Sequence, residues 1–180
     1  MFNKFLIRTA VFVFAGCFLA GIAQAGGSDS VMVKVKIAPS ISVSITEAEL
    51  SLGTMDAGAT KVATSAVTVT NDGSGINETY SLSLTNPSGW TASQSAAGVE
   101  KYVLDAAFSS STSGITWDEA KHALSTTPTA ASATKFAGDQ TGAGVPYNAT
   151  RKLWFQFKAP TATAVTEEQA ITVTITASAS

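Results

Sequence analysis

The chain has 180 residues, 45% of them apolar and only 13% charged, and a formal charge of −2 at pH 7. So weak and so negative a balance argues against a nucleic-acid or anionic-membrane partner, because both need concentrated Lys and Arg. One histidine and one cysteine leave little for a zinc site.

Lys4 and Arg8 precede an apolar run, Ala10 to Ile22, that ends in the small-residue pattern Ala23-Gln24-Ala25. This is the pattern of a secretory signal peptide cleaved after Ala25. A membrane anchor would need about 20 consecutive apolar residues, and a lipoprotein reading of Cys17 puts a poorly suited Phe14 at the start of its processing site. Cleavage removes Cys17, so residues 26–180 must fold without disulfides, thiol chemistry or cysteine metal sites. The expected location is secreted, periplasmic or cell-surface, with no stable membrane span after cleavage. The 155 remaining residues make one domain of ordinary size. With Lys4 and Arg8 gone, 9 basic residues stand against 13 acidic ones, a charge of −4. Thr, Ser, Ala and Gly replace much of the usual charged surface, and short side chains lose little rotamer entropy on ordering.

Val31, Val33, Val35 and Ile37 alternate with Met32, Lys34 and Lys36, which predicts a half-buried strand. After Pro39, Ile41, Val43 and Ile45 repeat the pattern. Leu50 and Leu52 lead into a turn framed by Gly53 and Gly58. A strand is expected over Val62 to Thr70, closed by Asn71-Asp72-Gly73-Ser74-Gly75, and Tyr80, Leu82 and Leu84 alternate in the strand paired with it. Trp90 follows Asn86-Pro87-Ser88-Gly89. Lys101 to Phe108 puts Tyr102, Leu104, Ala106 and Phe108 on one face and Asp105 on the other. Periodicity fails from Ser109 to Tyr147, where only Trp117 to Leu124 looks helical, and this stretch reads as a long irregular insertion. Leu153, Phe155 and Phe157 then oppose Trp154, Gln156 and Lys158, and Ile171, Val173 and Ile175 face inward in the last strand.

About eight short strands with little helix predict an all-β fold, an antiparallel β-sandwich of immunoglobulin-like or jelly-roll-like form, with a closed barrel as the alternative. Strict alternation implies one buried and one wetted face per strand.

The segment Leu50-Ser51-Leu52-Gly53-Thr54, the turn at Gly58, Val67-Thr68-Val69-Thr70-Asn71-Asp72-Gly73 and Tyr80-Ser81-Leu82-Ser83-Leu84 resemble secreted bacterial immunoglobulin-like β-sandwich domains. The likeness covers about 35 residues and speaks to fold. The outline of signal peptide, alternating N-terminal strand beside a proline, Ser/Thr/Ala-rich body and C-terminal strand is similar to disulfide-free fimbrial and surface-fibre subunits. Val31 to Ile45 and Ile171 to Ser180 carry that likeness, which implies self-association or contact with other surface proteins.

No catalytic, cofactor or metal site is expected. A Ser-His-Asp arrangement would have to use His122, which shares a helical face with Asp118 at i, i+4, and a solvated turn with a charge pair explains both. Asp118 and Glu119 are adjacent, as are Glu167 and Glu168, and neighbours point apart rather than flanking one bond. The turn Asp72 to Glu78 offers oxygens to calcium, but Ile76 and Asn77 occupy positions where the EF-hand needs an oxygen and a glycine. Asn77-Glu78-Thr79 and Asn148-Ala149-Thr150 match the glycosylation triplet. Trp90, Trp117 and Trp154, with Tyr102 and Tyr147, are candidates for stacking on sugar rings. Trp154 stands out because it lies opposite the apolar face, where exposure or cover by 109–147 or by a neighbouring subunit are the options.

The leading expectation is a non-enzymatic exported structural or interaction protein, a subunit of a surface fibre or coat assembled by edge-strand pairing. Val31, Val33, Val35 and Ile37 are the candidate donor residues, against the alternative that they complete their own subunit. A carbohydrate-binding or adhesin module, with polysaccharide as partner, is the second expectation.

Overall fold

The computed structural model describes residues 30–180. The signal peptide and Cys17 therefore lie outside the described residues. Residues up to Lys36 belong to a leading unit, and Ile37–Ser180 form the second.

None of residues 30–42 belongs to a strand. Val31, Val33, Val35 and Ile37 are 87%, 76%, 80% and 83% exposed and belong to no strand. The half-buried strand predicted here is not formed within the chain. Alternation gives these residues one apolar face, and it is exposed.

The second unit is mostly β. Nine strands follow in order: β1 (Val43–Ile45), β2 (Thr60–Val62), β3 (Val67–Asn71), β4 (Glu78–Thr85), β5 (Thr91–Ala92), β6 (Lys101–Phe108), β7 (Thr129–Ala130), β8 (Thr150–Lys158) and β9 (Thr172–Ala179). One sheet has the order β1-β3-β8-β6-β5, with β2 also on β8, and the other has β7-β4-β9. β5 runs parallel to β6, a correction to the wholly antiparallel expectation. The single strand expected over Val62 to Thr70 is two, β2 and β3. They lie end to end along β8, opposite Gln156–Lys158 and Thr150–Leu153 respectively.

Alternation explains the inner faces. Tyr80, Leu82 and Leu84 of β4 are buried, and Val69, Leu104, Phe108, Leu153, Phe155 and Phe157 come from the other sheet into the same core. Tyr102 stacks on Phe157 at 5.5 Å between ring centroids, and Tyr80 lies 5.9 Å from Phe108.

The outer face of β6 departs from the wetted expectation. Val103, Asp105 and Ala107 are as buried as the residues between them, because segment 109–147 folds back over the strand. A short helix, α1 (Glu119–His122), packs there, with Asp118 as its N-cap accepting from the Ala120 N–H at 3.0 Å. The Leu124 N–H donates to the Leu104 carbonyl at 2.9 Å and the Phe108 N–H to the Phe136 carbonyl at 2.9 Å. Asp139 ties the segment's start to its return by accepting from the Ser109 hydroxyl at 2.8 Å and the Ser110 N–H at 2.6 Å. Gly142 is required where the segment crosses Phe108, since a Cβ would stand 2.4 Å from the ring.

Candidate functional site

A concavity opens between the edges of the two sheets. β9 hydrogen-bonds to β4 along its length, and among the described residues its other edge has no strand partner. β1 likewise pairs only with β3. Between them lies a cleft of about 860 Å³ with Val67, Leu104, Phe155 and Phe157 from one sheet and Val173 and Ile175 from the other. Inward-facing Ile171, Val173, Ile175 and Ala177 pack against the core but remain only half-buried. Ile45, at the cleft's side, is 48% exposed. In a finished β core such residues would be covered by another strand.

The mouth is acidic. Glu47, Glu49, Asp56, Glu167 and Glu168 line it, and no Lys or Arg does. Glu47 accepts from the Thr46 hydroxyl and, at 2.8 Å, from the Thr68 N–H, which hold its carboxyl below the ordinary carboxylate range.

The ends of the cleft are fixed by register. The Ser42 N–H, just before β1, donates to Glu78 Oε1 at 2.9 Å, and Glu78 pairs with Ala179 at the end of β9. β1 therefore starts where β9 finishes. Glu47 and Glu49, which follow β1, and Glu167 and Glu168, which precede β9, stand together toward the opposite end.

The aromatic candidates divide. Trp90 lines the cleft, packs at 6.4 Å from Tyr102 and 6.1 Å from Phe157, and donates its indole N–H to Thr163 Oγ1 at 2.9 Å. Trp117 and Trp154 meet at a separate open depression of about 440 Å³, beside Ile115 and Thr112. Trp154 is half-buried, with its Nε1–H donating to the Ser109 carbonyl at 3.0 Å. Tyr102 is buried, its hydroxyl donating to Asn86 Oδ1 at 3.0 Å, and Tyr147 is 49% exposed.

The chain matches no known family model, characterised protein or solved structure.

The polar candidates are engaged in bonds within the fold. His122 is buried rather than solvated. Its Nδ1 accepts from the Asp118 N–H at 3.1 Å, its Nε2 lies 3.1 Å from the Ala137 carbonyl, and Trp117 meets it edge-on. Burial lowers its pKa, and both ring nitrogens are engaged. Asp118 pairs instead with Lys121 at 3.3 Å, and Glu119 with Lys158. In the turn after β3, buried Asn71 donates to the Ile76 and Val145 carbonyls at 2.9 and 2.8 Å and accepts from the Gly73 N–H. These bonds account for the Asn/Asp/Gly-rich turn. Among the described residues no group of three His, Cys, Asp or Glu could hold a metal ion.

Sequence reasoning missed Asp105. Its carboxylate is fully buried under α1 with neither oxygen hydrogen-bonded, and burial raises its pKa to about 6. Its position opposite an apolar face read as wet, and only the cover by 109–147 makes it otherwise.

Proposed function

We propose that this chain is an exported, immunoglobulin-like β-sandwich subunit of a surface fibre, joined to its neighbours by strand donation. Residues 31–37 of one copy add to the free edge of β9 in the next, and Val31, Val33, Val35 and Ile37 fill the cleft between the sheets. The observation that carries this reading is the coincidence, in one chain, of an exposed alternating segment that belongs to no strand and a cleft with an apolar floor and an acidic rim, beside a strand edge that has no strand partner among the described residues. Seven extended residues span about 23 Å, enough to run along the part of the β9 edge that β1 does not approach. Main-chain hydrogen bonds would supply affinity and the alternate side chains specificity. The resemblance to disulfide-free fimbrial subunits points the same way. Residues 26–180 should form filaments or ladders in size exclusion and negative-stain microscopy that vanish when 26–38 are deleted. A monomer retained on a polysaccharide column would sink the reading.

A second reading, a carbohydrate-binding module, is favoured by Trp117 and Trp154 sharing one open depression. Retention on a polysaccharide column lost in both Trp117→Ala and Trp154→Ala would support it. Trp90, packed in the cleft, is outside that platform.

A further inference from the structure

Resting on the strand-donation reading, we infer that Lys34 and Lys36 form a charge latch with the acidic mouth of the neighbouring copy's cleft, fixing the direction in which the donated strand enters. The occupant is residues 31–37 of a second copy, and three observations argue for it.

The first is alternation. If the four apolar side chains point into the cleft, Met32, Lys34 and Lys36 must point out of it, at the mouth. Neither lysine has an ion-pair partner among the described residues. The second is sign. Five carboxylates line the cleft and no cation does, whereas the donor segment from Val31 to Ile37 carries two cations and no anion. An acidic peptide would be repelled there, and a neutral apolar strand would leave the mouth's charge unanswered. The third is placement. Glu47, Glu49, Glu167 and Glu168 stand toward the end where β9 begins, and the donor's lysines lie in its C-terminal half. Matching the two ends sets the donated strand antiparallel to β9. The reverse entry would put both lysines near Ala177 and Ala179, away from the carboxylates.

The register follows as well. Slipping the donor by one residue would place Lys34 and Lys36 inside the cleft against Phe155 and Phe157, which disfavours that register because it buries charge against apolar rings. Charge therefore selects both direction and register, while the apolar side chains supply most of the affinity.

The test uses residues 26–180 throughout, with association read by sedimentation velocity across a concentration series and across NaCl concentrations. Exposed ion pairs contribute about 0.2–1 kcal/mol each, so Lys34→Gln with Lys36→Gln should weaken association about five-fold. Lys34→Glu with Lys36→Glu should weaken it about twenty-fold. Raising NaCl should weaken the wild-type chain and leave the Gln variant nearly unchanged. Adding Glu167→Lys and Glu168→Lys to the Lys34→Glu, Lys36→Glu chain should recover most of the association. Val33→Asp with Val35→Asp separates the two levels of the argument. If that variant stays monomeric while the lysine variants and salt change nothing, the latch is wrong and strand donation stands. If the aspartate variant associates like wild type, strand donation itself fails and the latch with it. Because all four substituted donor positions are exposed, unchanged thermal unfolding of each monomer confirms that folding is not what the assay reads.

Discussion

Val33→Ala combined with Val35→Ala probes the donated segment most directly. The two side chains are 76% and 80% exposed in the subunit, so shortening them removes no contact the folded monomer makes. In an assembled fibre each would be buried, and each substitution deletes two methyl groups, worth about 0.8 kcal/mol per buried carbon. The pair then costs about 3 kcal/mol of association, or roughly 200-fold in the association constant. Monomer stability should move by no more than about 0.5 kcal/mol, as for other surface substitutions. Sedimentation velocity on residues 26–180 gives the first quantity and urea unfolding of dilute monomer the second. An association constant within threefold of wild type would refute the assignment. So would a fall of about 3 kcal/mol in monomer stability, since it would mean that the valines pack at home.

Three further expectations concern the subunit. The folded-state pKa of Asp105, raised to about 6 by burial, lies above its unfolded value, so the native state binds more protons between about pH 4 and 6 and stability falls as pH rises through that window. The stability advantage of Asp105→Asn over wild type should therefore be larger at pH 8 than at pH 4 by roughly 2 kcal/mol, measured by urea unfolding at both. Asn71→Ala removes the amide that satisfies the Ile76 and Val145 carbonyls and should cost about 2–3 kcal/mol in the same assay. Gly142→Ala drives a methyl into the Phe108 ring and should cost about 1–3 kcal/mol, with faster amide exchange at the Leu124 and Phe136 N–H groups if segment 109–147 is what it loosens.

The strands whose alternation meets the shared core were legible. Tyr80, Leu82 and Leu84 in β4, Leu153, Phe155 and Phe157 in β8, and the half-buried Ile171, Val173 and Ile175 flanking and entering β9 all face as their spacing predicts. What alternation cannot tell is what lies on the second face. Asp105 was read as wet because it lies opposite the apolar face of β6, and His122 because its helical turn is rich in Asp, Glu and Lys. Both are buried by a segment whose Ser, Thr, Ala and Gly composition carries no period to announce that it packs. Segment 31–37 fails for the converse reason. Its spacing declares an apolar face, but spacing does not say which chain covers it. The cleft was not legible at all, because it is bounded by residues from 45 to 175 that only the sheet topology brings together.

The cover that 109–147 lays over β6 also shapes what the surroundings meet. A sheet with an uncovered flat face invites a second sheet to stack upon it, the route by which β-rich proteins coalesce side to side. Here the part of that face formed by β6 is covered by a polar, small-residue segment pinned by Asp139 and by the main-chain bonds to Leu104 and Phe108. The exposed tip of this segment, the 3-10 turn at Thr112–Gly114, carries none of those bonds to the sheet. It is exposed and lies outside both sheets, which makes it a place to insert a tag.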